Sequence, residues 1–176
     1  MRVRTGILIL LLAIVFLGRQ GGRAAVDNTP SLTPARRAAV EDGVRRFTAI
    51  VAHDVTQEGP MAWRKHFADR PEFFMAVNGQ LAFSSGQAAA QAIPGVARQY
   101  KHIELRWGND LRLDALTENL CVVAASYTEI IELQPGIKGP DGTQRGYFTG
   151  VAENQNGQWQ FRNAHWSSAP EAGKAP

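Results

Sequence analysis

The chain has 176 residues, a formal net charge of +3 and a pI near 9.4. That length fits one ordinary domain with a sizeable core, and 44% hydrophobic against 20% charged residues excludes wholesale disorder. The single cysteine, Cys121, excludes an internal disulfide framework and any Cys-rich zinc or iron–sulfur site.

The amino terminus reads as an address. Arg2 and Arg4 precede an apolar run over residues 7–17, and small residues follow. Basic, apolar, small is the order of a secretory signal peptide, and the run is short for a membrane span of about 20 residues. Gly22 and Ala24 suit cleavage after Ala24; the rival reading is an uncleaved anchor. No cysteine follows the run to take a lipid. The expected division is a signal peptide over 1–24, a linker over 25–32, a domain over 33–168 and a disordered tail over 169–176. Arg2, Arg4, Arg19 and Arg23 would leave with the leader, so fifteen basic residues face sixteen acidic ones and the charge becomes −1. A periplasmic or secreted location is expected, with no membrane contact after cleavage. No run of five basic residues remains, so no nucleic-acid partner is expected. Arg36-Arg37 and Arg45-Arg46 read as the solvated face of a helix.

Thr33-Pro34 is a helix start, a capping hydroxyl followed by proline at the first helical position. Val40, Val44, Phe47, Val51 and Val55 then form one apolar stripe. Gly59-Pro60 stops that helix. Residues 61–67 read as a short helix with Trp63 and Phe67 on one face. Asn78-Gly79 sits between two apolar runs over 73–83 and predicts a tight hairpin. Ser84 or Ser85 caps a helix over 87–93, which Pro94-Gly95 breaks or kinks.

From His102 the pattern changes to period two. Ile103, Leu105, Trp107, Leu111 and Leu113 fall on one face of a half-buried antiparallel strand, with Asn109 the one polar residue among them. Residues 120–133 read as a long central strand, and 135–142 as a Gly/Pro-rich loop. A strand over 145–153, a hairpin at Asn156-Gly157 and a last strand over 159–167 complete the order. Helices followed by strands imply an α+β fold, with helices on one face of a curved sheet.

Gly146-Tyr147-Phe148-Thr149-Gly150-Val151, followed by the stretch from Gly157 through Trp159 to His165-Trp166-Ser167, resembles the last two strands of the SnoaL-like branch of the nuclear transport factor 2-like (ketosteroid isomerase-like) superfamily. The resemblance spans 33–168, mostly through element order. It implies a cone-shaped curved antiparallel sheet packed with N-terminal helices around a pocket (a cystatin-like fold), often in a homodimer. The family holds isomerases, cyclases, dehydratases and non-catalytic binding domains, so fold does not settle function. Ketosteroid isomerase pairs an aspartate base with a tyrosine and a protonated aspartic acid. Here helix 1 offers Phe47 in place of tyrosine, Asp110 and Asp114 fall on the polar strand face, and Asn163 stands where relatives often have histidine. These departures speak against steroid isomerisation.

Period two places Trp159, Phe161, Asn163, His165 and Ser167 on one face, expected to be the inner one. His165 is a candidate acid/base or ligand donor near the cone mouth, Ser167 a ligand contact; a structural histidine is the plainer reading. On the central strand Cys121, Val123, Ala125, Tyr127, Glu129 and Ile131 share a face. Glu129 in an apolar cavity would be a general base; a protruding strand would leave it in solvent. Tyr127 offers a hydroxyl, and Cys121 reads as a buried small residue. Trp63, Phe67, Trp107 and Phe73 or Phe74 are candidate walls, though each equally suits a core. The Trp107–Asn109 pair stands out because a buried Asn needs partners. His53-Asp54 reads as a solvated helix end. The four histidines have no paired spacing, so no metal site is expected, and no cofactor.

Three functions follow: a pocket for an apolar or mixed-polarity small ligand; a lyase or isomerase on a hydrophobic carbonyl compound, with Glu129 or His165 as base and Asn109 or Tyr127 holding the oxyanion; or a dimerisation module using an outer sheet face around Phe148 and Trp166.

Overall fold

The computed structural model describes residues 32–169. The leader, nearly all of the linker and most of the tail expected from sequence lie outside these residues. The first helix, α1 (Pro34–Glu58), starts where Thr33 accepts a hydrogen bond from the Arg36 N–H and ends at Gly59, whose φ is +70°. Its stripe Val40, Val44, Phe47, Val51 and Val55 is buried throughout. The arginine pair on its far face is exposed; Arg36 pairs with Glu118 and Arg37 with Asp114. Such surface pairs are worth little individually.

The expected second helix is a 3₁₀ turn (Gly59–Ala62) running into the single-turn α2 (Trp63–His66), where Trp63 stacks on Phe67 at 5.0 Å. Strands β1 (Phe74–Val77) and β2 (Gln80–Phe83) form the hairpin. Asn78 and Gly79 both take positive φ, +49° and +79°, as a two-residue turn between twisted strands requires. Ser85 caps α3 (Gly86–Ala97) through the Ala88 N–H. This helix runs through Pro94, which lies only three residues before its end, so the lost N–H costs a single late bond.

Strands β3 (Tyr100–Trp107), β4 (Arg112–Thr117), β5 (Leu120–Leu133), β6 (Gly142–Gln155) and β7 (Gln158–Ser168) follow. The sheet order is β2-β1-β7-β6-β5-β3, with β4 also on β5. It is curved and unclosed, with α1 packed across β3, β4 and β7. One junction is parallel: β1 runs alongside β7, Phe74 opposite Asn163 through Val77 opposite Trp166.

Two departures from regular pairing matter for the site. The single strand expected from His102 onward is broken between β3 and β4. Residues 108–111 face only Ala125 and Ser126 of β5, and the Asp110 carboxylate takes the Ser126 N–H at 2.9 Å and its hydroxyl at 2.8 Å. Four residues opposite two preserve parity, so Leu113 and Ala115 return to the inner face. Asn109 does not: it is exposed in the break.

The second departure lies in β7. Val151 pairs with Asn163 and Ala152 with Phe161, leaving Arg162 as one extra residue. A one-residue bulge reverses every later side chain. Phe161 is inside, and so are Ala164 and Trp166, while His165 and Ser167 face outward. The bulge is held by Asn163, whose side-chain oxygen accepts from the Val151 N–H at 3.1 Å. Arg162 also contributes, reaching Glu153 at 3.4 Å beside Arg70 at 2.8 Å. The outer sheet face expected around Phe148 and Trp166 is therefore not built from them. Phe148 is fully buried, and the two rings meet edge-on at 4.4 Å in the interior.

Candidate functional site

The open end of the cone holds a cavity of about 530 Å³. Pro60, Trp63 and Phe67 wall it from the segment after α1, and Met75, Val77 and Phe83 from the hairpin. Ile93 and Val96 of α3 form a third side, and Ile103 and Ile131 continue it along the sheet. Trp63 meets Trp166 edge-to-face at 5.1 Å, which joins this wall to the aromatic core around Phe148. An apolar enclosure with a few converging polar groups is the ordinary form of a small-molecule site.

The polar groups come from one end of the sheet. Glu129 and Tyr127 alternate on β5; Gln144 lies opposite Glu129 on β6; Ser168 ends β7, and Tyr100 starts β3. Gly146 pairs with Tyr127 and sits on the same inner row. A Cβ there would stand 2.7 Å from the Tyr127 hydroxyl and 2.0 Å from the Ser167 carbonyl. The missing side chain lets the phenol lean across β6 toward β7.

Glu129 is the one acid among the lining residues, and no lysine, arginine or histidine accompanies it. Among the described residues its carboxylate has no hydrogen-bond or ion-pair partner. Burial alone pushes its pKa up from 4.5 to about 7. Burial also pushes up the phenols of Tyr127 and Tyr100. Ser168 opposes the shift at Tyr127, and Glu129 adds to it at both. Trp166 carries a buried indole N–H with no acceptor among the described residues.

Trp63, Tyr127 and Glu129 thus meet at one cavity. Phe67, a candidate wall, joins them; His165, Ser167, Trp107 and Asn109 do not. His165 and Ser167 lie on the opposite sheet face because of the bulge; the Ser167 hydroxyl donates to the Tyr147 carbonyl at 3.1 Å. Trp107 belongs to the core, its indole N–H donating to the Thr48 carbonyl at 2.8 Å and its ring packing on Phe148. Asn109 sits in the β3–β4 break. Cys121 is buried, its thiol pushed up to about 11 by desolvation.

Sequence reasoning missed Tyr100, Gln144, Trp166 and Ser168. The last two were legible in principle: large apolar residues switch parity between Phe161 and Ala164, which is what a bulge does to a sequence. It also missed a buried pair. His66, 5% exposed, shares a 3.1 Å hydrogen bond with Asp54, and Lys65 bonds Glu58 beside it. Burial lowers the His66 pKa, with Asp54 pulling the other way. Asp54 is thus turned inward, while its neighbour His53 is exposed.

No family model and no curated protein matches this sequence. Solved structures do match in fold. A putative scytalone dehydratase from Novosphingobium aromaticivorans superposes with a TM-score of 0.67 at 13% identity, covering 82% of this chain and all of that one. A hexachlorocyclohexane dehydrochlorinase (LinA type 2) gives 0.60 at 16% identity, covering 82% and 98%. A nuclear transport factor 2-like superfamily protein from Salmonella enterica gives 0.59 at 13%, covering 82% and 100%. The fold is that of the nuclear transport factor 2-like superfamily, as the terminal-strand resemblance implied.

Proposed function

We propose that this chain binds a small, largely apolar molecule in the cone cavity, with Glu129 meeting the polar part of that molecule. The observation that carries this reading is a lone, unpaired carboxyl group inside an otherwise uncharged, largely apolar and aromatic enclosure. A carboxylate in such surroundings is costly unless something pairs with it, so sequence optimised for stability alone would not keep it. Titration with a neutral apolar ligand should quench the emission of Trp63 and Trp166, and Met75→Trp, which fills the cavity, should abolish binding. Binding unaffected by Met75→Trp would remove the cavity from consideration.

A lyase or isomerase acting on a hydrophobic carbonyl compound is the second reading. A pKa near 7 is what a general base needs, and Tyr100 and Tyr127 supply hydroxyl donors on the same walls. The dehydratase and dehydrochlorinase among the fold neighbours are elimination enzymes by name. His165 has no part in this reading, since it does not share the cavity. Glu129→Gln should abolish turnover while the apolar ligand still binds.

Export belongs to the proposal on sequence grounds, from the basic–apolar–small order of residues 1–24. Intact-mass measurement of the protein from its host should give a chain beginning at Ala25. Pairing of two copies is likewise proposed from the family resemblance, and sedimentation should return twice the chain mass.

A further inference from the structure

We infer that the ligand is an apolar compound bearing one protonated amine, held by Glu129 and the surrounding aromatic rings. This rests on the cavity being a binding site and names what enters it.

The charge inventory comes first. Glu129 is the one acid lining the cavity, and no basic side chain lines it. The nearest charges along the strands point away: Glu104 and Arg106, on either side of Leu105, pair with each other at 2.6 Å, and Arg145 is exposed on the outer face. Facing Glu129 are Leu105 from β3 and Gln144 from β6, neither of which titrates. The titratable groups that feel it are Tyr100 and Tyr127, both of which hold their protons more tightly than usual. The protein therefore provides no counter-ion. An anionic ligand would meet a like charge, and a neutral one would leave the carboxylate uncompensated above pH 7. A cation does neither.

The walls agree. Trp63, Trp166, Tyr100 and Tyr127 line the cavity on different elements. Electron-rich ring faces attract a cation, most strongly where water is excluded. A carboxylate and aromatic rings lining one cavity form a receptor for an ammonium group, while the aliphatic sides take the hydrocarbon.

The test uses three probes of one shape: 4-phenylbutylamine, 4-phenylbutan-1-ol and 4-phenylbutanoate, titrated calorimetrically at pH 8. The amine should bind about tenfold or more tighter than the alcohol, with the carboxylate weakest. In Glu129→Gln the advantage of the amine over the alcohol should vanish, and in the parent protein it should shrink at pH 5.5, where Glu129 holds its proton. Equal affinity for amine and alcohol, or an amine preference that survives Glu129→Gln, overturns the inference and leaves the apolar cavity standing. Failure of all three probes to bind overturns both. Matching thermal melts of parent and variant at pH 5 confirm that the variant is folded.

Discussion

Strands β5 and β7 read alike in sequence and behave differently in the fold. On each, counting alternate residues from an apolar anchor assigns the inner face, and each carries its acid–base candidate in its second half. β5 is regular from Leu120 to Leu133, so the parity counted from Cys121 carries through to Glu129 and delivers it to the cavity. β7 carries an extra residue at Arg162, so the parity counted from Trp159 fails beyond Phe161 and delivers Trp166 in place of His165. A period-two argument is only as good as the continuity of the ladder between its anchor and its conclusion.

The widest separation between the two strands should come from truncating β7 on either side of its parity switch. Trp166→Ala should cost about 3–5 kcal/mol in urea unfolding, the usual loss for a buried aromatic. His165→Ala should stay within about 0.5 kcal/mol, as for other positions outside the core. The reverse order would mean that the bulge is absent.

The next effect belongs to β5. Glu129 has a folded pKa of about 7 against 4.5 ordinarily, so the folded chain holds a proton that the unfolded chain releases between those values. Stability must fall as pH rises through that window and level off above it. Glu129→Gln should therefore stabilise the protein by up to about 3 kcal/mol at pH 8.5 and leave it unchanged near pH 4. A difference independent of pH would place Glu129 in water.

A smaller effect tests what holds the bulge. Asn163→Ala removes the acceptor of the Val151 N–H and should cost about 1–2 kcal/mol, with faster amide exchange at Val151. Tyr127→Phe should be smallest for stability, because the ring and its seat over Gly146 remain. Its effect should instead be a loss of less than about tenfold in ligand affinity, the worth of one neutral hydrogen bond.

Much of the fold was legible because its signals are local. Thr33-Pro34 and Gly59 bound α1, Asn78-Gly79 and Asn156-Gly157 turn their hairpins, and the valine stripe chooses the buried face of the helix. Each depends on residues within one or two turns of chain. The parallel seating of β1 on β7 was not legible, since nothing in residues 74–77 specifies a partner ninety residues away. The site divided the same way. Glu129, Tyr127 and Trp63 sit on uninterrupted elements, and their sequence readings led to the cavity. Asn109 and His165 lie within or beyond irregularities stabilised by distant groups, Ser126 in one case and Val151 in the other.

By itself, then, the sequence determined which segments are helix and strand, where they stop, and that a carboxylate lies on the apolar face of the central strand. Hydrogen-bond caps, positive-φ turns and side-chain periodicity are properties of neighbouring residues. Only the tertiary structure decided which face of β7 looks inward, and that Glu129 has no charged companion among the described residues. Both depend on backbone and side-chain groups that meet across strands; the change of parity from Phe161 to Trp166 marks an extra residue in β7 without saying which groups accommodate it.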